Sequence, residues 1–436
     1  MNIELQPDAA NPTRLPLRWA PAWVLALVAL WPLHGFAELL LDLGALSALA
    51  TLAIRRFRGG THLLSGPAWA LTSVLFFTYW LPELWSALDA VDPWRSLEEV
   101  LIDLRYLPFL WLVAAAVASA EGWRTTFTGL GVITLIWTVD ALVEAAVGTS
   151  PLFWMLDHAR VAVTGHAMCT GSTVVADRLG GMLGPCNLKL GIVLASLSPF
   201  ALELAWRRLG RLGWLLTALA IGLVILLAGS RASWITYALV MLWTGWRALG
   251  WKRLAMLFAT GAVVLGLATA FSPQVRGRMQ LTAQALSANA SGVDAALTGR
   301  TRIWSAALCM VRQHPINGVG VRGFRDAFPA CDPQPGVVAA WGTGVALHAH
   351  QIVLEVLSET GVIGLLIWLA GSALAWRAWR FADDVARARA RPAMLALAVS
   401  VFPFNTHLAA YSTFWGSVLL LLAALYAGSL LGRDPE

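Results

Sequence analysis

Long, unbroken apolar runs alternate with short polar connections along most of this chain. Runs of about 20 apolar residues, the length an α-helix needs to cross a hydrocarbon core, fall at 19–33, 36–54, 65–87, 100–119, 123–148, 188–206, 211–229, 231–247, 252–271, 361–379, 392–408 and 413–431. They predict an all-α polytopic membrane protein of about twelve transmembrane helices. A barrel strand would instead alternate apolar and polar residues over short stretches. Two long segments, 149–187 and 272–348, break the pattern. Within the second, TRIWSAALCMVRQ sets Ile303, Ala307, Met310 and Val311 at helical spacing, which predicts a helix inside the loop. His314-Pro315 ends it and Asn317-Gly318-Val319-Gly320 turns the chain. The polar N-terminus leads into the first run with no small-residue cleavage site after it, so that run reads as a retained span. No tandem repeat and no separable soluble domain is evident, and residues 1–436 read as one integral membrane domain.

Composition agrees: 58% apolar residues against 13% charged, with a mean hydropathy of +0.67, exclude a soluble enzyme. The formal charge of +6 is mostly arginine, and its placement sets orientation. Arg55, Arg56, Arg58, Arg124, Arg207, Arg208, Arg211, Arg247, Lys252, Arg253, Arg377, Arg380, Arg387, Arg389 and Arg391 share one side with both termini. The opposite short loops carry only Arg95, among Asp89, Asp92, Glu98 and Glu99, and Arg231. The positive-inside rule then predicts cytoplasmic termini and places 149–187 and 272–348 outside, in the periplasm. The 23 tryptophans read as interfacial anchors among the membrane lipids. Cys169 and Cys186 lie in the first long loop, Cys309 and Cys331 in the second, without zinc-finger spacing. One disulfide within each loop and four buried thiols are both open.

Between membrane-length runs, residues 298–364 concentrate Arg300, Arg302, Arg312, Arg322, Arg325, His348 and His350, a cationic cluster that calls for an anionic partner. Arg231, in AGSRASW, is a cation on the side whose short loops otherwise carry only Arg95. Arg300 and Arg302 open the loop helix, where the dipole disfavours them, and guanidinium forks match phosphate oxygens. Arg178 precedes a Gly-rich turn able to offer backbone N–H groups to an anion, and Lys189 follows it. Solvated surface charge is the plain alternative for each. His348 and His350 are two apart, so on a helix they point in different directions. That argues against a shared metal, and neither a metal nor another cofactor is expected. Neighbouring guanidinium groups favour the neutral imidazole that a general base requires. Nucleic acid is not an expected partner. Asp42, Asp103, Asp140, Glu144 and Glu203 fall inside spans, with Asp103 and Arg105 as a local pair, and give an alternative reading as an ion-coupled secondary transporter. No paired half-helices support it.

His350-Gln351, nine residues, Gly361, two residues and Gly364 resemble the motif of bacterial O-antigen ligases. TGR…IW…HP…GVG…F, from Thr298 to Phe324, resembles the outer-loop signature of the superfamily of O-antigen ligases, O-antigen polymerases and protein O-oligosaccharyltransferases. Ser230-Arg231 and Arg178…Gly181…Gly184-Pro185…Asn187 are further matches, although Met182 stands where a ligase pattern has Leu. The resemblance implies a GT-C-like glycosyltransferase architecture with a large helical periplasmic loop. It implies His350 as the essential residue, and Arg231 and the loop arginine ahead of Ile-Trp, Arg300, as ligands of a diphosphate, with Arg302, Arg178 and Lys189 beside them. His348, Gln351, Arg322 and Arg325 would support the acceptor, with Arg276 and Arg278 as further outer cations. The implied reaction moves a glycan from undecaprenyl diphosphate to a hydroxyl of lipid A–core at the periplasmic face of the inner membrane, inverting and metal-independent. Polymerase and protein O-oligosaccharyltransferase are the alternatives within the superfamily.

Overall fold

A computed structural model describes residues 17–58, 62–169, 178–271, 276–277, 279–280, 297, 299–339, 341, 344–403 and 409–432. These contain α1 (Ala20–Ala29), α2 (His34–Phe57), α3 (Gly66–Ser86), α4 (Pro93–Asp103), α5 (Tyr106–Ala118), α6 (Ala120–Val147), α7 (Pro151–Thr164), α8 (Leu190–Ala228), α9 (Arg231–Leu249), α10 (Trp251–Phe271), α11 (Arg300–Gln313), α12 (Phe324–Cys331), α13 (Ile352–Phe381), α14 (Asp384–Ser400) and α15 (Thr413–Leu431). The protein is an all-α polytopic membrane protein. Seven described stretches are both long and apolar enough to cross a bilayer: Gly35–Phe57, Pro93–Ala118, Ala120–Val147, Leu190–Ala228, Trp251–Phe271, Ile352–Phe381 and Thr413–Leu431.

The remaining predicted runs differ for local reasons. Runs 188–206 and 211–229 are the two arms of α8, which reverses at Gly210 with φ 61° and ψ −143°, a conformation open essentially to glycine. Run 19–33 yields only the ten-residue α1, about 15 Å long. Helices α3, of 21 residues, and α9, of 19, have the length but are not among those seven stretches, and 404–408 of the run 392–408 lie outside the described residues. Lipid-facing surface is plain on the second arm of α8, where Leu212, Leu216, Leu219 and Leu223 are exposed while Ile221, Val224, Ile225 and Ala228 are buried. That is one helix with an apolar face on each side, the signature of a span packed on one flank. Helix α15 is buried all round and packs against α3, α5 and α14, with α6 on α8 and α13 on α3 completing the bundle.

The carboxylates expected inside the spans have structural partners. Arg105 pairs with Asp42 at 3.1 Å, not with Asp103, because the start of α5 faces α2. Asp140 accepts from Ser150 Oγ at 2.7 Å and from the Leu152 amide at 2.8 Å, so it anchors the start of α7. Glu203 accepts from Arg207 Nε at 2.7 Å, one turn away.

The second long loop builds a small core of its own. Helix α11 buries Ile303, Ala306, Ala307 and Met310 against Phe324, Phe328, Ala346 and Ala349, and the Cys309–Cys331 disulfide ties it to α12. Cys169–Cys186 closes the first loop in the same way. Residues 281–296, and Arg278 with them, lie outside the described residues.

Candidate active site

Helix α13 is broken at Gly361, φ 67° and ψ −170°, and the break is filled by the turn that follows α11. The Val319 and Gly320 amides donate to the carbonyls of Ser358 and Glu359 at 2.9 and 3.0 Å, and the Val362 amide donates to Pro315 at 2.9 Å. Backbone groups that a kink in a membrane helix would leave orphaned are thereby paired. A Cβ on Gly361 would collide with the Ile316 carbonyl, and one on Gly318 with the Glu359 backbone. The turn is pinned from outside as well: Trp85 Nε1 donates to Asn317 Oδ1 at 2.8 Å and the Val91 amide to Val319 at 3.0 Å. His350 is therefore placed at the head of a short helical arm braced from two sides.

His350 itself is not helical. Gln351 is the N-cap of α13, its Oε1 accepting from the Leu354 amide at 2.6 Å while Nε2 donates to the Pro403 carbonyl at 3.0 Å. Asn, Ser and Gln at this place share a side-chain acceptor able to cap a helix, and Asn and Ser are among the best caps. The residue before the cap takes φ 52°. His348 and His350 consequently do not diverge, as helical spacing would have it. Their ring centroids are 3.9 Å apart. No group of three or more metal-binding side chains occurs among the described residues.

The two histidines face a cavity of about 500 Å³ whose walls include Lys189, Arg322, Arg325, Glu355 and Glu359. Arg322, at φ 61°, and His350 are the two non-glycine residues with positive φ among the described ones, and both line this cavity. Left-handed backbone at bulky residues costs free energy and clusters at functional sites. Glu359 holds one in place, its Oε2 accepting from the Arg322 amide at 3.0 Å. Glu355 Oε1 accepts from the Tyr411 amide at 3.3 Å. Burial pushes the Lys189 ammonium down to about 8, with Nζ 4.3 Å above the Phe414 ring. Burial and the neighbouring Arg322 hold the Arg325 guanidinium below its usual range.

Beside this cavity three guanidinium groups converge. Burial pushes Arg300 down to about 10, and the charges of Arg231 and Arg178 push the same way. It remains cationic at neutral pH. Arg300 and Arg231 are the first residues of α11 and α9, so each adds a positive helix terminus to a positive side chain. Two links join this cluster to the cavity. Trp304, one turn into α11, donates Nε1 to the carbonyl of Ala349 at 3.1 Å, next to His350. A Cβ on Gly191 would be 2.9 Å from Ser233 Oγ, so the start of α8, just after Lys189, abuts the start of α9. Like charges gathered in one place repel, and an anion bound among them relieves that repulsion.

Residues 193–369 match the family model described as O-antigen ligase. That stretch of the chain is similar to the O-antigen ligase family. The match contains Arg231, Arg300, His350, Gly361 and Gly364 and leaves Arg178 and Lys189 outside it. Members of this family are glycosyltransferase-like enzymes acting on polysaccharide. Comparison with curated proteins gives no match.

Several of the residues expected at the site do other work. Arg302 is buried and fully occupied: Nε and Nη2 grip Asp332 at 2.7 and 2.6 Å, and further donors reach the carbonyls of Val337 and Gln334. It fastens the loop instead of meeting a ligand, because one helical position separates it from Ile303 on the buried face. The Gly-rich turn after Arg178 spends its Gly180 and Gly181 amides on Glu144, at 3.3 and 2.6 Å, so they are not offered to an external anion. Arg276 caps the end of α10 through the carbonyls of Thr269 and Ala270. Sequence reading missed Glu355 and Glu359. The signal was present, two carboxylates four residues apart in the otherwise apolar IVLEVLSETG, but only the kink shows that they face a cavity.

Proposed function

We propose that this protein transfers an O-antigen polysaccharide from undecaprenyl diphosphate to a sugar hydroxyl of lipid A–core on the periplasmic face of the inner membrane. The observation that carries this reading is the convergence of Arg300, Arg231 and Arg178 beside the cavity that His350 lines. The three guanidinium groups hold the donor diphosphate and stabilise the charge that grows on it as the glycosidic bond breaks. Lys189 adds a fourth cation on the cavity side. His350 accepts the proton of the acceptor hydroxyl as its oxygen attacks the anomeric carbon from the face opposite the diphosphate. One carbon–oxygen bond forms, one breaks with its electron pair passing to the diphosphate, and configuration inverts. Cationic side chains supply the neutralisation a metal gives in other phosphate chemistry. Arg322 and Arg325 suit the phosphorylated core of the acceptor. Two disulfides in the outer loops fit an oxidising compartment, which supports the periplasmic assignment.

The test is transfer by purified protein in lipid with defined donor and acceptor. His350→Ala is expected to lose at least about a hundredfold in rate, the usual contribution of general-base catalysis, while keeping the fold. Undiminished transfer would remove the base assignment. Accumulation of single repeat units in a deletion strain, in place of full polymer on the lipid carrier, would make the protein a polymerase.

A further inference from the structure

A second cavity, of about 250 Å³, opens at the other end of the bundle between α8, α9 and α14. Trp206 is 17 positions beyond Lys189 and Arg247 is 16 beyond Arg231. At 1.5 Å per residue these are about 25 Å from the candidate active site, close to the thickness of a hydrocarbon core. The walls are apolar and aromatic, with Trp206, Trp214 and Trp243, and the charged residues are Arg247, Arg391 and Glu203.

The hydrogen-bonding inventory of this cavity is one-sided. Glu203, the one carboxylate among its described walls, accepts from Arg207 through Oε1 at 2.7 Å. The Thr244 hydroxyl donates its proton to the Val240 carbonyl. Trp214 is 2% exposed and its indole N–H has no acceptor among the described residues. Both Arg247 and Arg391 line this cavity, and Arg391 is opposed by the charge of Arg247 and only partly offset by Glu203. Two guanidinium groups and one buried indole donor thus share a cavity in which donors outnumber acceptors, the remaining side-chain acceptors being Glu203 Oε2 and the Thr244 oxygen. A buried unsatisfied donor costs free energy, and so does like-charge proximity. A ligand bearing only acceptors and negative charge relieves both. The cavity is also below the roughly 300–1,000 Å³ of drug-sized sites, a size suited to a headgroup.

We propose that Arg247, Arg391 and Trp214 form a binding site for a phosphate-bearing anion, the phosphodiester headgroup of an anionic phospholipid, in the leaflet opposite the candidate active site. Basic pockets between membrane helices at a headgroup level are suited to such lipids, and the ring of tryptophans matches the glycerol–acyl boundary. The site is separate from the transferase reading and stands without it.

The experiment uses the full chain in phosphatidylcholine nanodiscs with and without phosphatidylglycerol, read by thermal unfolding and by lipid retention in native mass spectrometry. Phosphatidylglycerol is expected to stabilise and stay bound to the wild type. The double variant Arg247→Gln with Arg391→Gln should lose about tenfold or more in retention, as two charge-assisted hydrogen bonds imply. Trp214→Phe, which keeps the ring and deletes the donor, should weaken retention less, and Arg208→Gln, an exposed charge that does not line the cavity, should leave it intact. In pure phosphatidylcholine the double variant should match or exceed wild-type stability, since a repulsion is removed. Inorganic phosphate is the second arm: protection by it, with none from phosphatidylglycerol, assigns the site to a soluble phosphate. Equal response of wild type and double variant to both probes, or destabilisation of the double variant in pure phosphatidylcholine, overturns the proposal.

Discussion

Neighbouring arginines of one sequence run have opposite fates. Arg300 faces Arg231 and Arg178, whereas Arg302 is clamped to Asp332 at 2.6 Å. Arg300→Lys keeps a charge but loses the planar fork, and donor transfer should fall about tenfold or more with the melting temperature unchanged. Arg302→Lys should instead lower stability. The pair also sets a pH dependence. Arg302 holds the Asp332 carboxyl below its ordinary 3.8, so the stabilisation is complete above that value and is lost as pH falls through the lower folded value. Thermal unfolding of wild type and Asp332→Asn, about 3 kcal/mol apart near neutrality by the cost of breaking a buried pair, should converge in strong acid. Lys189 has the opposite sign. Its value of about 8 means that donor capture, read as kcat/KM, should decline as pH rises through about 8, and Lys189→Arg should flatten that decline. Which arginine is clamped into the loop core was not legible from charge or spacing, because two positions apart on a helix is half a turn and only packing says which half faces that core.

At the scale of the element, the break in α13 explains what the motif glycine does. Gly361 combines a backbone conformation closed to other residues with a contact that leaves no room for a Cβ. Gly210 has comparable backbone strain but nothing near its absent side chain. Gly210→Ala should therefore cost about 1–3 kcal/mol, the backbone penalty alone. Gly361→Ala should cost more and should abolish transfer, since the turn bearing Val319 and Gly320 cannot stay docked. Unfolding midpoints of the two variants in one detergent make the comparison, and equal losses would show that the docked turn contributes nothing. The loop helix from Arg300 to Gln313 was readable because its apolar spacing is local. The kink was not, since both arms of α13 are apolar and the interruption depends on a loop more than 30 residues earlier in the chain.

For the whole molecule, charge asymmetry predicts the orientation in the membrane. A cysteine replacing exposed Trp154, on α7, should react with a membrane-impermeant maleimide added outside intact cells, and one replacing exposed Leu209, beside the α8 reversal, should not. The reverse pattern would place His350 in the cytosol and remove the ligation reading. Reduction of the Cys169–Cys186 and Cys309–Cys331 links, which close segments of 17 and 22 residues, should each cost about 3 kcal/mol if the constraint on the unfolded chain dominates.

Hydrophobic run length determined membrane class and helical architecture by itself, because a bilayer core imposes helix and length on any chain that crosses it. A resemblance of motifs singled out His350, Arg231 and Arg300 as candidates. Contacts between distant segments decided the rest: which guanidinium groups meet, that His348 and His350 lie ring to ring, that the cysteines pair, and that Glu355 and Glu359 border the cavity. Those outcomes depend on where α8, α9, α11 and α13 come together, and such meetings are set by three-dimensional packing, which no periodicity along a single strand of residues encodes.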